Sequence, residues 1–111
     1  VFPRGQFKVP NSQYVIIDTD AGGDDSQAIL LAIAEAKRTG KTILGITCVD
    51  GNAALEDVAI NVLICVCLAG TEIPVYKGSK MSLMGKTQKD YYFSEDGVGN
   101  KQGDYVRKLK Q

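Results

Sequence analysis

The sequence predicts an α/β fold, a Rossmann-like open and mostly parallel sheet in the order β-α-β-α-β. Three observations predict it. Short β-rich apolar runs stand at Tyr14–Thr19, Thr42–Val49 and Ile73–Gly78. Between them lie two stretches with apolar residues at helical spacing, closed by Gly40 and Gly70. Strands joined by such helices make βαβ units, which pair in parallel with right-handed crossovers. At 111 residues the chain is one domain, long enough to bury a core but short for an α/β enzyme.

Residues 1–13 hold Pro3 and Pro10 and no period, and read as an extended arm ahead of a domain over 14–111. Tyr14–Thr19 reads as a buried strand. The first helix starts at Asp24, places Ile29, Leu30, Ile33 and Ala34 on its apolar side, and stops at Thr39-Gly40. Thr42–Val49 follows as a strand, and Asp50-Gly51-Asn52 turns the chain after it. The second helix, over 53–69, has Leu55, Val58, Ala59, Val62, Leu63, Val66 and Cys67 as its apolar face. Beyond residue 79 the pattern loosens. Tyr91-Tyr92-Phe93 precedes a glycine-rich turn, and reads either as a hydrophobic anchor, the commoner use of such clusters, or as an aromatic wall for a stacked base. Residues 101–111 show no clear period and no helix stop.

Composition narrows the function. Apolar residues at 44% and charged residues at 23% are those of an ordinary globular protein. Thirteen basic and thirteen acidic residues cancel, which gives no basis for nucleic-acid or membrane binding. The last third carries Lys77, Lys80, Lys86, Lys89, Lys101, Arg107, Lys108 and Lys110, and this lysine excess reads as solvated surface. No run reaches the ~18 apolar residues of a membrane span. No signal peptide is evident, which favours the cytoplasm, although a first residue of Val leaves a processed amino terminus open. Cys48, Cys65 and Cys67 are too few for a disulfide framework, and buried free thiols are expected.

The chemistry concentrates in Asp18-Thr19-Asp20-Ala21-Gly22-Gly23-Asp24-Asp25, four carboxylates within eight residues directly after the first strand. Open α/β sheets hold ligands at that end of their strands. Asp18 and Asp20, two apart, project to one side of a strand, and Asp24 and Asp25 fall in the first helical turn, so all four can converge. Like charges that close must take up protons or meet a cation. The helix macrodipole offsets only ~0.3–1 kcal/mol per exposed acid. With oxygen donors and no histidine in the chain, calcium or magnesium is favoured over zinc or copper. The simpler reading, Asp24 as an N-cap, needs one acid and not four. An EF-hand loop matches at Asp18, Asp20, Gly23 and Asp24 but fails at its twelfth position, Ile29, and follows a strand. Asp50-Gly51-Asn52 lands at the same sheet edge, as ordinary turn chemistry or as a second part of the site.

The run Val15-Ile16-Ile17-Asp18-Thr19-Asp20-Ala21-Gly22-Gly23-Asp24-Asp25, the Gly51-Asn52 pair, Ile73-Pro74-Val75-Tyr76-Lys77-Gly78 and Asp96-Gly97-Val98-Gly99 resemble the inosine–uridine-preferring nucleoside hydrolase family. The resemblance implies a nucleoside hydrolase-like fold, truncated to its amino-terminal part. It implies hydrolysis of the N-glycosidic bond of ribonucleosides to ribose and free base with a Ca2+-activated water, in nucleoside catabolism. It also implies roles. Asp20 is carried over as general base and metal ligand, Asp25 as a second metal ligand, Asp24 and Asn52 as substrate-binding residues, and Asp18 as a supporting acid. Many relatives have His where this chain has Phe93, which removes one interaction with substrate. The ligands that relatives take from later in their fold lie beyond this chain. Nothing in it separates purine from pyrimidine nucleosides. A sheet of three strands leaves an edge and a face uncovered, which invites a homo-oligomer. Two other readings stand beside this one: a non-catalytic remnant that binds a cation or a partner, and a magnesium-dependent aspartyl-phosphate hydrolase, which the double Asp24-Asp25 disfavours.

Overall fold

A computed structural model describes residues 13–85, 89 and 91–111. The arm expected over 1–13 lies, apart from Gln13, outside the described residues. The element order is β1 (Tyr14–Thr19), α1 (Gly23–Thr39), β2 (Thr42–Cys48), α2 (Leu55–Leu68), β3 (Val75–Lys77) and α3 (Gln102–Leu109). The sheet has the order β1-β2-β3, with both pairs parallel. The expected open α/β sheet is therefore present.

Two right-handed crossovers stepping the same way across a sheet put both helices on one face. The core lies between that face and the helices. Ile43, Ile46 and Cys48 of β2 meet Ile29 and Ile33 of α1 and Val58, Val62 and Val66 of α2. Among the described residues nothing covers the other face. Tyr14 and Ile16 are 62% and 64% exposed there, beside Leu44 and Tyr76. The expectation that β1 is a buried strand is thus corrected, because only Val15, Ile17 and Thr19 point to the helices.

The pairing of β1 with β2 is interrupted once. Val15 pairs with Ile43 and Ile16 with Gly45, so Leu44 is one residue in excess on β2. Leu44 and Gly45 both turn to the bare face, where the Tyr76 ring packs so close to Gly45 that a Cβ there would lie 2.7 Å from it. Past this point Thr47 comes opposite Asp18 and Cys48 opposite Thr19.

Helix ends follow their sequence signals. Gly40 at the end of α1 adopts φ 70°, and Gly70 just past α2 adopts φ 65°. The N-cap of α1 is Gly22, with no side-chain cap bond, so Asp24 is not a cap. In α2, Ile64 and Cys65 are buried while Leu63 and Cys67 are exposed, which moves the apolar face from the one expected. Cys65 and Cys67, two apart, point to different sides of a helix, so one of them must leave the core. The largest departure is α3, in a stretch where the sequence shows no period. No helix among the described residues is long and apolar enough to cross a membrane.

Candidate functional site

β1 ends at Thr19, and the next residues turn sharply. Ala21 adopts φ 26°, a conformation strained for a residue with a Cβ, and is fully buried. Two bonds hold it. Its N–H donates to Thr19 Oγ1 at 3.0 Å, and its carbonyl accepts from Asn61 Nδ2 at 3.1 Å. The turn brings Asp20 inward and starts α1 with Asp24 and Asp25 in its first turn.

Asp20, Asp24, Asp25 and Asn52 line one open cleft of about 330 Å³ at the carboxyl edge of β1 and β2, with Tyr92 and Phe93 as its further wall. Asp20 Oδ2 accepts the Asn52 N–H at 3.0 Å, and Asp25 Oδ2 accepts Thr19 Oγ1 at 2.5 Å. Glycines permit this closeness. A Cβ on Gly22 would stand 1.8 Å from Asn52 Nδ2, and one on Gly51 2.6 Å from Asp20 Oδ2. Phe93 lies against Gly22 and Gly23 and meets Tyr92 edge to face, with centroids 4.8 Å apart.

Asp18 is not part of this cleft. It projects to the bare face of the sheet and accepts Thr47 Oγ1 at 2.7 Å. The expected convergence of four acids is therefore a convergence of three. Strand alternation predicts Asp18 and Asp20 on one side, but the strand stops at Thr19 and the turn at Ala21 breaks the alternation.

The donors around the cleft are carboxylate and amide oxygens, which in kind suit a hard cation such as Ca2+ or Mg2+. In number they do not complete a shell of six to eight. Two carboxylate oxygens are engaged by Thr19 and Asn52, and among the described residues no three acidic, Cys or His side chains are grouped to hold a metal ion alone.

Several supporting residues carry no local sequence signal. Asn61, 2% exposed in α2, donates Nδ2 to the carbonyls of Ala21 and of Asp96 (2.7 Å) and accepts Gln102 Nε2 at 2.8 Å. Asp96 gathers the N–H groups of Val98, Asn100 and Gln102 at 2.8–3.0 Å. Burial pushes its carboxyl up, but those bonds, together with one from its own backbone N–H, outweigh burial and hold it below the ordinary value. Asp57 nearby is pushed up by burial and then by the Asp96 charge. Behind Phe93, an apolar hollow of about 290 Å³ lies between α1, α2 and α3, lined by Leu30, Ile64, Leu68 and Tyr105. Lys89, read from sequence as solvated, is 22% exposed and donates to Asp50 Oδ2 at 2.9 Å.

A family model described as inosine-uridine preferring nucleoside hydrolase matches residues 15–111. The probable uridine nucleosidase 2 of Oryza sativa subsp. japonica is 38% identical over 94 residues, covering 82% of this chain and 27% of that protein. Uridine nucleosidase 1 of Arabidopsis thaliana is 38% identical over 89 residues, 78% of this chain and 26% of its own. Among solved structures, an inosine-guanosine nucleoside hydrolase superposes with a TM-score of 0.70 at 34% identity, again over 78% of this chain and 26% of that one. The chain thus spans about a quarter of the length of these relatives.

Proposed function

Since this chain belongs to the inosine-uridine preferring nucleoside hydrolase family, we propose that its cleft serves the hydrolysis of a ribonucleoside N-glycosidic bond, giving ribose and free base. The observation that carries the reading is the gathering of Asp20, Asp24, Asp25 and Asn52 around one opening at the carboxyl edge of the sheet.

Breaking this bond needs water delivered to the anomeric carbon and negative charge near an oxocarbenium-like transition state. Asp20, which lines the cleft and is oriented by the Asn52 N–H, is the general base that takes the proton from water. Asp24, in the first turn of α1, accepts from a ribose hydroxyl, and Asn52 holds the sugar from the β2 side. Asp20 and Asp25 would hold a calcium ion, which when bound supplies positive charge to orient water and sugar hydroxyls. Thr19 fixes the direction of Asp25 through its hydroxyl. Asp18, on the other face, supports the site only through the strand. Uridine and inosine, after the relatives' names, are the probes.

General-base catalysis contributes a factor of about 10²–10⁴, so Asp20→Ala should lose free-base release by that factor in the presence of calcium. Retained activity in Asp20→Ala overturns the assignment. A second reading is binding of a cation or a partner without turnover, and its partner-binding form is favoured by the bare sheet face. Calcium binding seen by calorimetry with no base released from either nucleoside would select it. Self-association into a homo-oligomer belongs to the same proposal, supported by the bare sheet face. Membership in this family stands against an aspartyl-phosphate hydrolase.

A further inference from the structure

Lys89 and Asp50 have no part in the roles above, yet their ion pair differs from the others among the described residues. The two side chains are 22% and 8% exposed, whereas both members of every other pair are more than half exposed. Asp50 uses its two oxygens in different directions. Oδ1 accepts the Leu55 N–H at the start of α2 at 3.2 Å, and Oδ2 accepts Lys89 Nζ at 2.9 Å from a residue 39 positions later.

Between these anchors runs the turn that meets Asp20. Gly51 donates its N–H to the Ala53 carbonyl at 3.3 Å and packs against the Asp20 carboxylate, and the Asn52 N–H donates to Asp20 Oδ2 at 3.0 Å. A carboxylate buried as deeply as that of Asp50 requires a counter-charge or exposure to water. Without Lys89 the Asp50 side chain would swing out, release Leu55 and free the turn.

We propose that the Lys89–Asp50 ion pair braces the Asp50–Asn52 turn and so keeps the Asn52 N–H aimed at Asp20, making Lys89 and Asp50 positioning residues of the cleft. The proposal deepens the functional reading above and rests on it for what the cleft does. Its geometric content is independent.

The test is amide hydrogen exchange, read by NMR on the whole chain and on Lys89→Ala, Lys89→Arg and Asp50→Asn. The amides of Ser26, bonded to Gly22 O, and Ile46, bonded to Pro74 O, serve as references. Lys89→Ala should speed exchange at Asn52 by roughly fivefold with the references unmoved. Lys89→Arg, which keeps the charge, should restore the slow rate. Asp50→Asn, which keeps an oxygen for Leu55 but loses the charge, should resemble Lys89→Ala. An unchanged Asn52 rate in Lys89→Ala overturns the brace. So does equal acceleration at all three amides, the mark of a pair that only stabilises the fold. A chain that releases no base but shows the selective Asn52 effect defeats the functional reading and leaves the brace standing.

Discussion

Asn61 shows how one side chain can join parts of the chain that share no local pattern. Its amide reaches the Ala21 carbonyl, the Asp96 carbonyl and Gln102, residues 35–41 positions away. Replacing it by Ala leaves buried carbonyls without a donor, and each such group costs about 1–3 kcal/mol. Asn61→Ala should therefore lower the urea midpoint by the equivalent of ~2–4 kcal/mol, while the exposed control Leu31→Ala moves it little. In the sequence Asn61 is only an interruption of an apolar helix face. A buried polar residue must be paired, which is legible, but its partners are not, because they come from three other segments. The acids of the cleft were legible for the opposite reason: Asp20, Asp24 and Asp25 lie within six residues of one another on one turn.

At the scale of elements, β1, α1, β2 and α2 declare themselves by their periods and glycine stops. β3 is shorter than its apolar run because Pro74 has no N–H, and it enters the ladder only by accepting the Ile46 N–H. α3 is illegible because its support lies outside it. No side chain of its own caps it; Asp96 accepts the Gln102 N–H from six residues upstream, and Gln102 docks on α2. That support depends on pH. The carboxyl of Asp96 is held below its unfolded value, so it contributes stability that is present above the ordinary carboxylate pKa near 3.9 and is lost as pH falls through the lowered folded value. Asp57 has the opposite sign, its raised value making its charge a cost at neutral pH that protonation relieves. Asp96→Asn should therefore destabilise the protein at pH 7 and Asp57→Asn should stabilise it, with both effects shrinking toward pH 3. Thermal unfolding across that range measures this, and amide exchange at Tyr105 tells whether α3 leaves first.

For the whole molecule, the decisive fact is that both crossover helices lie on one side of the sheet. Tyr14, Ile16, Leu44 and Tyr76 stand exposed on the other side, with β1 at its edge. Such a surface favours association. Sedimentation velocity should show concentration-dependent association, and Ile16→Lys, which sets a charge on this face, should shift the protein to monomer with little change in helix content. A wild-type chain that stays monomeric at high concentration would refute the prediction.

The extra residue at Leu44 also sets what changes of length the chain can absorb. Because Leu44 resets the alternation of β2, it decides that Ile46 and Cys48 enter the core and that Thr47 meets Asp18. Loss of one residue there would turn all of β2 beyond it by half a period. The joints at Gly40 and Gly70, with open space around them, could gain or lose a residue and leave every strand facing as it does. Insertions and deletions in descendants of this sequence should therefore collect at the two helix ends and spare a seven-residue strand.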